Sequence, residues 1–392
     1  MTIAWISEFP IEWMADLPAP LRGLPRQHPA TWMPVLLEEF RRNGGLKLHV
    51  ITLRNNVTAD LTFERDGVTF HVLKTRPGFR APSLFWHDTL RIRPLLRRIK
   101  PDLIHAWGTE RGAALVASRL GYPYLVTIQG LLTWYRELIP FHTHDKVAAV
   151  LERISLNRAS VVTTESNFAV SFLRKHFPHL QVQQAEHAPN RVFQELPRRP
   201  QRDPVRFLAV GSIGFRKGTD ILLKALAQCL DEFAFEMLFV GGPDGPLLEQ
   251  LKTELTPRLW ERVKFKAGLR PPEVAAELAQ ATIAVLPTRA DTSPNAVKEA
   301  VVAGVPVVAT RIGGVPDYVF DGENGIVCEP ESIPAFADAL RRAVNHPLFG
   351  QGRVDEGAMA RARAHLSPEK MGENFLAAYQ AVLATKRRQP CL

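Results

Sequence analysis

Short, nearly continuous apolar runs alternate along this chain with longer stretches in which apolar residues recur every three or four positions. Continuous runs suit strands covered on both faces, and the longer stretches suit the helices that cover them. The pattern therefore predicts an α/β protein built on parallel sheets with crossover helices. In the first half it predicts strands at Thr2–Ser7, Leu48–Leu53, Val68–Leu73, Leu103–Ala106, Tyr124–Ile128 and Ser160–Thr164. Helices are predicted at Trp32–Asn43, Arg111–Leu120, Asp145–Arg158 and Asn167–His176, with an irregular proline-bearing loop over residues 10–31.

The stretch from Ala188 to Pro204 is rich in proline and arginine and has no apolar period, so it reads as a linker. A second series follows. Its strands are expected at Val205–Val210, Phe235–Val240, Val263–Ala267, Ile283–Leu286, Val307–Thr310 and Ile326–Val327. Its helices are expected at Thr219–Leu230, Pro246–Leu255 and Pro272–Ala279, with a last amphipathic helix at Pro368–Thr385 carrying Phe375 and Tyr379 on one face. A chain of 392 residues exceeds what one core usually serves. The expected division is a first domain over 1–190, a linker over 191–204, a second domain over 205–367 and a C-terminal helix over 368–392.

Composition narrows the class. The three cysteines, Cys229, Cys328 and Cys391, show neither disulfide nor metal spacing, which suits a reducing compartment. The opening Thr2–Ser7 run reads as a buried strand rather than a secretory leader, and no apolar run is long enough to span a bilayer. A cytoplasmic location is expected. Net charge is +9, and all of it sits in residues 1–200, which hold 26 Lys+Arg against 17 Asp+Glu. Such a half attracts phosphate-bearing acceptors or an anionic membrane surface. Arg91–Lys100 is its densest part, and reads either as an interfacial helix or as a solvated surface helix with Leu95, Leu96 and Ile99 turned inward. No aromatic interleaving accompanies the charge, so nucleic acid is not an expected partner.

Two segments carry candidate chemistry. Asp291-Thr-Ser-Pro-Asn-Ala-Val-Lys-Glu299 reads as a loop entering a helix, with Ser293 as N-cap and Pro294 at the first helical position; the helix ends near Ala303 at Gly304. Free amides at such an end receive oxyanions or hydroxyls, and Asp291 and Glu299 add acceptor-only groups that suit vicinal diols. Asn295 and Glu299 share one helix face. The second segment, Gly211-Ser-Ile-Gly-Phe-Arg-Lys-Gly218, joins a strand to a helix. Its glycines admit a phosphate close to the backbone, and Arg216 and Lys217 bring cations.

Together these segments resemble the donor site of retaining glycosyltransferases of family 4, whose fold is GT-B: two Rossmann-like doubly wound domains facing across a cleft. The family signature is a Glu, seven residues, a second Glu, then a helix end and a Gly-x-Pro-Val-Val strand. Here Asp291 replaces the first Glu, while Gly304–Pro306, Gly313–Asp317 and Asp321–Val327 keep the family's order. The resemblance implies Lys217, Asp291 and Glu299 as the catalytic set. It implies donor contacts from Gly211, Ser212, Gly214, Arg216, Ser293, Pro294, Asn295 and Ala296, and from Gly268 and Leu269 beside the nucleobase. Where the family usually has Arg after the first glycine, this chain has Ser212. On the acceptor side the resemblance implies Glu8, His105, Gly108, Thr109, Glu110, Gln129 and Gly130; Gln129 stands where the family often has His.

The implied reaction moves a hexose from a UDP- or GDP-sugar to a glycan or lipid-linked acceptor with retention. No Asp-x-Asp dyad or His/Cys cluster appears, so neither metal nor cofactor is expected. A same-fold epimerase or phosphorylase needs a further acid–base set or a cofactor lysine. A degenerate, non-catalytic sugar-nucleotide-binding subunit is the alternative from another class, kept open by Ser212 and Asp291.

Overall fold

The computed structural model describes residues 1–25, 30–76, 78 and 80–388, so Cys391 lies outside the described residues. The chain divides into two compact units, one formed by Met1–Glu186 with Met371–Leu392 and the other by His187–Lys370.

In chain order the first unit contains β1 (Thr2–Ile6), α1 (Trp32–Asn43), β2 (Lys47–Arg54), β3 (Leu61–Arg65), β4 (Val68–Lys74) and α2 (Trp86–Ile99). Then come β5 (Leu103–Trp107), α3 (Ala113–Ala117), β6 (Tyr124–Thr127), α4 (Leu132–Leu138), α5 (Thr143–Arg158), β7 (Val161–Thr164), α6 (Asn167–His176) and β8 (Gln181–Gln184). The second runs α7 (Val192–Glu195), β9 (Val205–Val210), α8 (Thr219–Gln228), β10 (Phe235–Val240), α9 (Gly245–Glu254), α10 (Pro257–Trp260), β11 (Val263–Lys266) and α11 (Pro271–Gln280). It continues through β12 (Ile283–Leu286), α12 (Asn295–Val302), β13 (Val307–Thr310), α13 (Val315–Tyr318), β14 (Gly325–Cys328), α14 (Ile333–Asn345) and α15 (Glu356–His365). The last helix, α16 (Pro368–Arg388), starts in the second unit and has the rest of its length in the first.

The first sheet has the order β3-β4-β2-β1-β5-β6-β7-β8 and is parallel apart from β3. The chain winds outward from β1 through β2 to β4, then returns to place β5 on the other side of β1. Right-handed crossovers then put α2, α3 and α5 on one face, where α3 touches both neighbours and is wholly buried. The opposite face carries α1 and α16: the Phe40 and Tyr379 rings meet at a tilt with centroids 5.9 Å apart, and the Trp5 indole donates to the Tyr379 hydroxyl at 3.0 Å. The second sheet, β11-β10-β9-β12-β13-β14, is all parallel and reverses direction between β9 and β12. Phe207, Met237, Ile283, Val308, Phe336 and Leu340 fill the core between this sheet and its helices.

Two strands fall outside the predicted set because both are polar sheet edges. Alternate residues of β3 face solvent, and β8 has Val182 as its one buried residue. The expected linker is also corrected. Residues 191–204 contain α7, and their arginines bind the second unit. Arg199 N donates to Ala279 O at 2.8 Å, and Arg198 Nη2 donates to Ala281 O at 2.9 Å and Gly352 O at 2.8 Å. A segment without apolar period is held here by hydrogen bonds to carbonyls at and just past the end of α11 and in the loop before α15.

Candidate functional site

In each unit the winding reverses beside its first strand. There the loops on two neighbouring strands part and open a crevice at the carboxyl end of the sheet. In the second unit the reversal lies between β9 and β12. The loop after β9 is Gly211–Gly218, and the loop after β12 runs from Pro287 to Pro294.

These two loops are fastened together. Gly218 has φ +72°, and a Cβ there would overlap the Pro287 carbonyl, so only glycine permits the approach. Arg289 is nearly buried; it donates to Phe215 O at 2.6 Å, forks onto Asp220 at 2.7 and 2.8 Å, and stacks over the Phe215 ring at 3.8 Å. Arg289 N in turn donates to Arg216 O at 2.9 Å. Nothing in the family signature singled out Arg289, although an arginine directly before the Ala290-Asp291 pair was a legible signal.

The fastening brings Lys217 and Asp291 into a direct ion pair, and Arg216 Nη1 stands 3.6 Å from the same carboxylate oxygen. Burial pushes the Asp291 carboxyl up, but Lys217 and Arg216 outweigh it and hold it below its ordinary value. Gly211, Ser212 and Lys217 line a hollow with Ile213, Thr219 and Pro287, and Ala296 lines the adjoining one with Val210 and Leu286. Gly214 N is bonded by Thr219 Oγ1 at 2.9 Å, which fixes the loop rather than leaving that amide for a ligand.

The helix start differs from its expected form. Pro294 occupies the N-cap position and Asn295 is the first helical residue, so Ser293 stands one residue before the cap. The Ser293 hydroxyl lies 3.2 Å from that of Tyr318, where Gly313 lets the following turn press on Asp291. At φ +51° a Cβ on Gly313 would overlap the Asp291 carbonyl, and Gly314 N donates to Thr292 O at 2.8 Å. Glu299 lies one turn past Asn295, 7% exposed, and burial pushes its carboxyl up to about 8 despite neighbouring Lys298. Gly268 and Leu269 follow β11 at the sheet's edge, and no hydrogen bond among the described residues ties them to Lys217 or Asp291.

In the first unit the reversal lies between β1 and β5. Gly108, Glu110, Gln129 and Gly130 come together there. The Glu110 carboxylate and the Gln129 amide oxygen lie in the space a Gly108 Cβ would fill, and Glu110 also reaches Gly130 beside Tyr135. Burial pushes the Glu110 carboxyl up to about 7, with the charge of Glu152 adding to it. The buried Nε2 of Gln129 has no hydrogen-bond partner among the described residues.

Three expected acceptor-side residues are engaged by partners within the first unit. His105 is fully buried between the hydroxyls of Tyr379 (2.8 Å) and Thr127 (2.6 Å), and burial holds its imidazole well below its ordinary value. From the middle of β5 it faces α16, so it is a neutral core residue. Thr109 is buried and donates to Glu152 at 2.8 Å. Glu8 is engaged by Arg54 at 3.0 Å, Arg80 at 3.2 Å and Arg111 at 3.6 Å. That arginine group, gathered from β2 and two loops around a hollow of about 290 Å³, had no local sequence pattern to betray it.

Comparison with known proteins bears on the family and the fold. The family described as "Glycosyl transferases group 1" matches residues 204–346, and "Glycosyl transferase 4-like domain" matches residues 32–208. The chain is 27% identical over 320 residues to D-inositol 3-phosphate glycosyltransferase 1 of Catenulispora acidiphila, covering 74% of each. It is 26% identical to the α-D-kanosaminyltransferase of Streptomyces kanamyceticus, over 76% of this chain and 82% of that one. Among solved structures, the sucrose-phosphate synthase of Thermosynechococcus elongatus aligns with a TM-score of 0.79 at 20% identity, over 98% and 99% of the two chains. Anabaena HepE in complex with UDP and glucose aligns at 0.70 and 16% identity, over 97% and 100%. The fold is thus that of the GT-B glycosyltransferases.

Proposed function

Because this chain belongs to the group 1, family 4-like glycosyltransferases, we propose that it moves a hexose from a nucleotide-diphosphate sugar to a hydroxyl of a glycan or lipid-linked acceptor, with retention at the anomeric carbon. The observation that carries this reading is the Lys217–Asp291 pair, with Arg216 beside it, at the reversal of the second sheet. A diphosphate placed against the Gly211–Gly218 loop meets both cations. Asp291, held ionised, accepts from hydroxyls of the donor sugar, and Glu299 accepts from the ribose.

Charge on the leaving group sets the barrier in such a transfer. The bond from the anomeric carbon to the diphosphate oxygen breaks as the acceptor oxygen approaches the same face. The acceptor's proton passes to the departing phosphate oxygen. Lys217 and Arg216 stabilise the charge that develops there, so this reading assigns neutralisation to side chains and calls for no divalent ion. Arg216 takes up the cationic role that Ser212 leaves vacant relative to the family pattern. In the first unit, the Glu110 carboxyl and the Gln129 amide supply a hydrogen-bond acceptor and a donor to an acceptor substrate held by that unit. The cationic first half favours peripheral contact with an anionic membrane and a place in surface-glycan assembly at its cytoplasmic face.

Isothermal titration with UDP-, GDP- and ADP-sugars, followed by product analysis with candidate acceptors, tests the reading. Binding with turnover and retained configuration is expected. Binding of a donor without hydrolysis or transfer under any acceptor would instead establish a sugar-nucleotide-binding subunit, the reading that Ser212 and the shortened Asp291 favour. Absence of binding to every nucleotide sugar would remove both.

A further inference from the structure

Seven of the eleven large apolar side chains that stand exposed among the described residues lie between residues 84 and 154. They are Leu84, Trp86 and Leu90 at and within α2, Leu138 at the end of α4, and Val147, Val150 and Ile154 in a stripe along α5. Trp86 is 48% exposed and Leu90 61% exposed. The sheet topology puts α2 and α5 on one face of the first unit, with short α3 buried between them. The inward face of α2 is already covered: Ile92, Leu95 and Leu96 are buried against the sheet. What stands outward is a second apolar set that core packing does not require.

Cations outnumber acids on this face. Every exposed charged side chain of α2 and α5 among the described residues is a cation: Arg91, Arg97 and Arg98 on the first, Lys146, Arg153 and Arg158 on the second. Of their acids, Asp88 and Glu152 are buried and Asp145 is half-buried, and Asp60 from the loop before β3 pairs with Arg91 at 2.6 Å. Beside α2, Arg93, Arg97 and Arg119 line a hollow of about 360 Å³ that no acid enters. Arg119 lies over the Trp86 ring at 4.5 Å and donates to Leu84 O at 2.6 Å, which fixes the indole at the rim of the hollow.

We propose that this α2–α5 face is a docking surface for an anionic lipid bilayer, with the arginine hollow receiving lipid phosphate and Trp86 and Leu90 entering the headgroup boundary. Two features select lipid over an acidic protein. The apolar side chains are interspersed among cations instead of forming the continuous dry centre of a protein interface. An indole flanked by arginines matches the layer where apolar tails meet charged headgroups. No helix among the described residues is long and apolar enough to cross a membrane, so the contact is a surface one. The inference stands independently of the donor site.

Flotation of the full chain with phosphatidylcholine vesicles, with and without phosphatidylglycerol, provides the test. Binding is expected with phosphatidylglycerol and is expected to weaken with salt. At roughly 1 kcal/mol per surface cation, Arg97→Ala with Arg153→Ala lowers partitioning about 30-fold. Trp86→Ser with Leu90→Ser lowers it more than about tenfold. Unchanged thermal midpoints show that these exposed substitutions leave the fold intact. Failure to bind either vesicle overturns the proposal. So does binding that ignores the Trp86/Leu90 pair, which marks a general polyanion surface. Tighter binding to soluble polyglutamate than to vesicles, again sensitive to Trp86, identifies an acidic protein as the occupant and overturns it as well.

Discussion

Lys217 and Asp291 neutralise one another in the free protein, and a diphosphate must compete for the ammonium with a carboxylate already in place. Removing the ammonium removes a charge-assisted contact of about 1.5–3 kcal/mol. Lys217→Ala should therefore weaken donor binding about 10- to 100-fold by calorimetry, and unchanged affinity would contradict the assignment. Glu299 makes a sharper prediction. Its carboxyl, pushed up to about 8 by burial, carries a proton at pH 7, yet a carboxylate is the form that accepts both ribose hydroxyls. Donor binding at pH 7 should release a proton, visible as a dependence of the binding enthalpy on the buffer's ionisation enthalpy. Glu299→Gln should abolish that dependence. His105 belongs to a different group. His105→Ala leaves the Thr127 and Tyr379 hydroxyls facing a cavity and should cost about 3–4 kcal/mol in denaturant titrations while donor affinity stays the same.

At the scale of elements, the site exists because two loops on adjacent strands are pinned to each other. Arg289 is the pin, and by position it touches loop and helix rather than ligand. Arg289→Ala leaves Asp220 without its buried partner and frees Phe215 O, at about 3 kcal/mol. Donor affinity should fall with it, and Arg289→Lys should restore part of the stability but little of the affinity, since one ammonium cannot span both partners. Retained affinity in Arg289→Ala would show that the loops hold their shape unaided. Much of this was legible in sequence: the Gly-rich loop after β9, the helix after Asp291 and the stop at Gly304. The cap was not. Ser293 next to a proline satisfies every local rule for an N-cap, but Pro294 takes that position, and the Ser293 hydroxyl meets that of Tyr318 where Gly313 lets the neighbouring turn press on Asp291.

For the whole molecule, the last helix of the chain completes the first unit. Phe375 and Tyr379 pack on His105 and Trp107, which belong to a central strand. Phe375→Ala with Tyr379→Ala should speed hydrogen exchange in β1 and β5 and leave β9 and β12 unchanged; uniform acceleration would refute that localisation. Buried acids also set the pH response. Glu110 and Glu299 hold protons up to about 7 and about 8, whereas the unfolded chain releases them near the ordinary carboxyl value. The folded state thus binds more protons in between, and these two groups make stability fall as pH rises from about 5 to 8. The double variant Glu110→Gln, Glu299→Gln should flatten that fall in urea titrations.

Apolar period and turn chemistry are local quantities, and they alone determined the two α/β series, the strand ends where loops open, and the glycine and carboxylate signatures of the donor side. Partners far apart in the chain are invisible to such patterns. Whether Glu8 faced a ligand or three arginines, whether His105 met solvent or Tyr379, and whether 191–204 swung free or lay bonded to α11 were decided by which surfaces the folded sheets brought together. Burial then reset the protonation of Glu110 and Glu299, because the cost of a charge depends on everything that surrounds it and not on its neighbours in sequence.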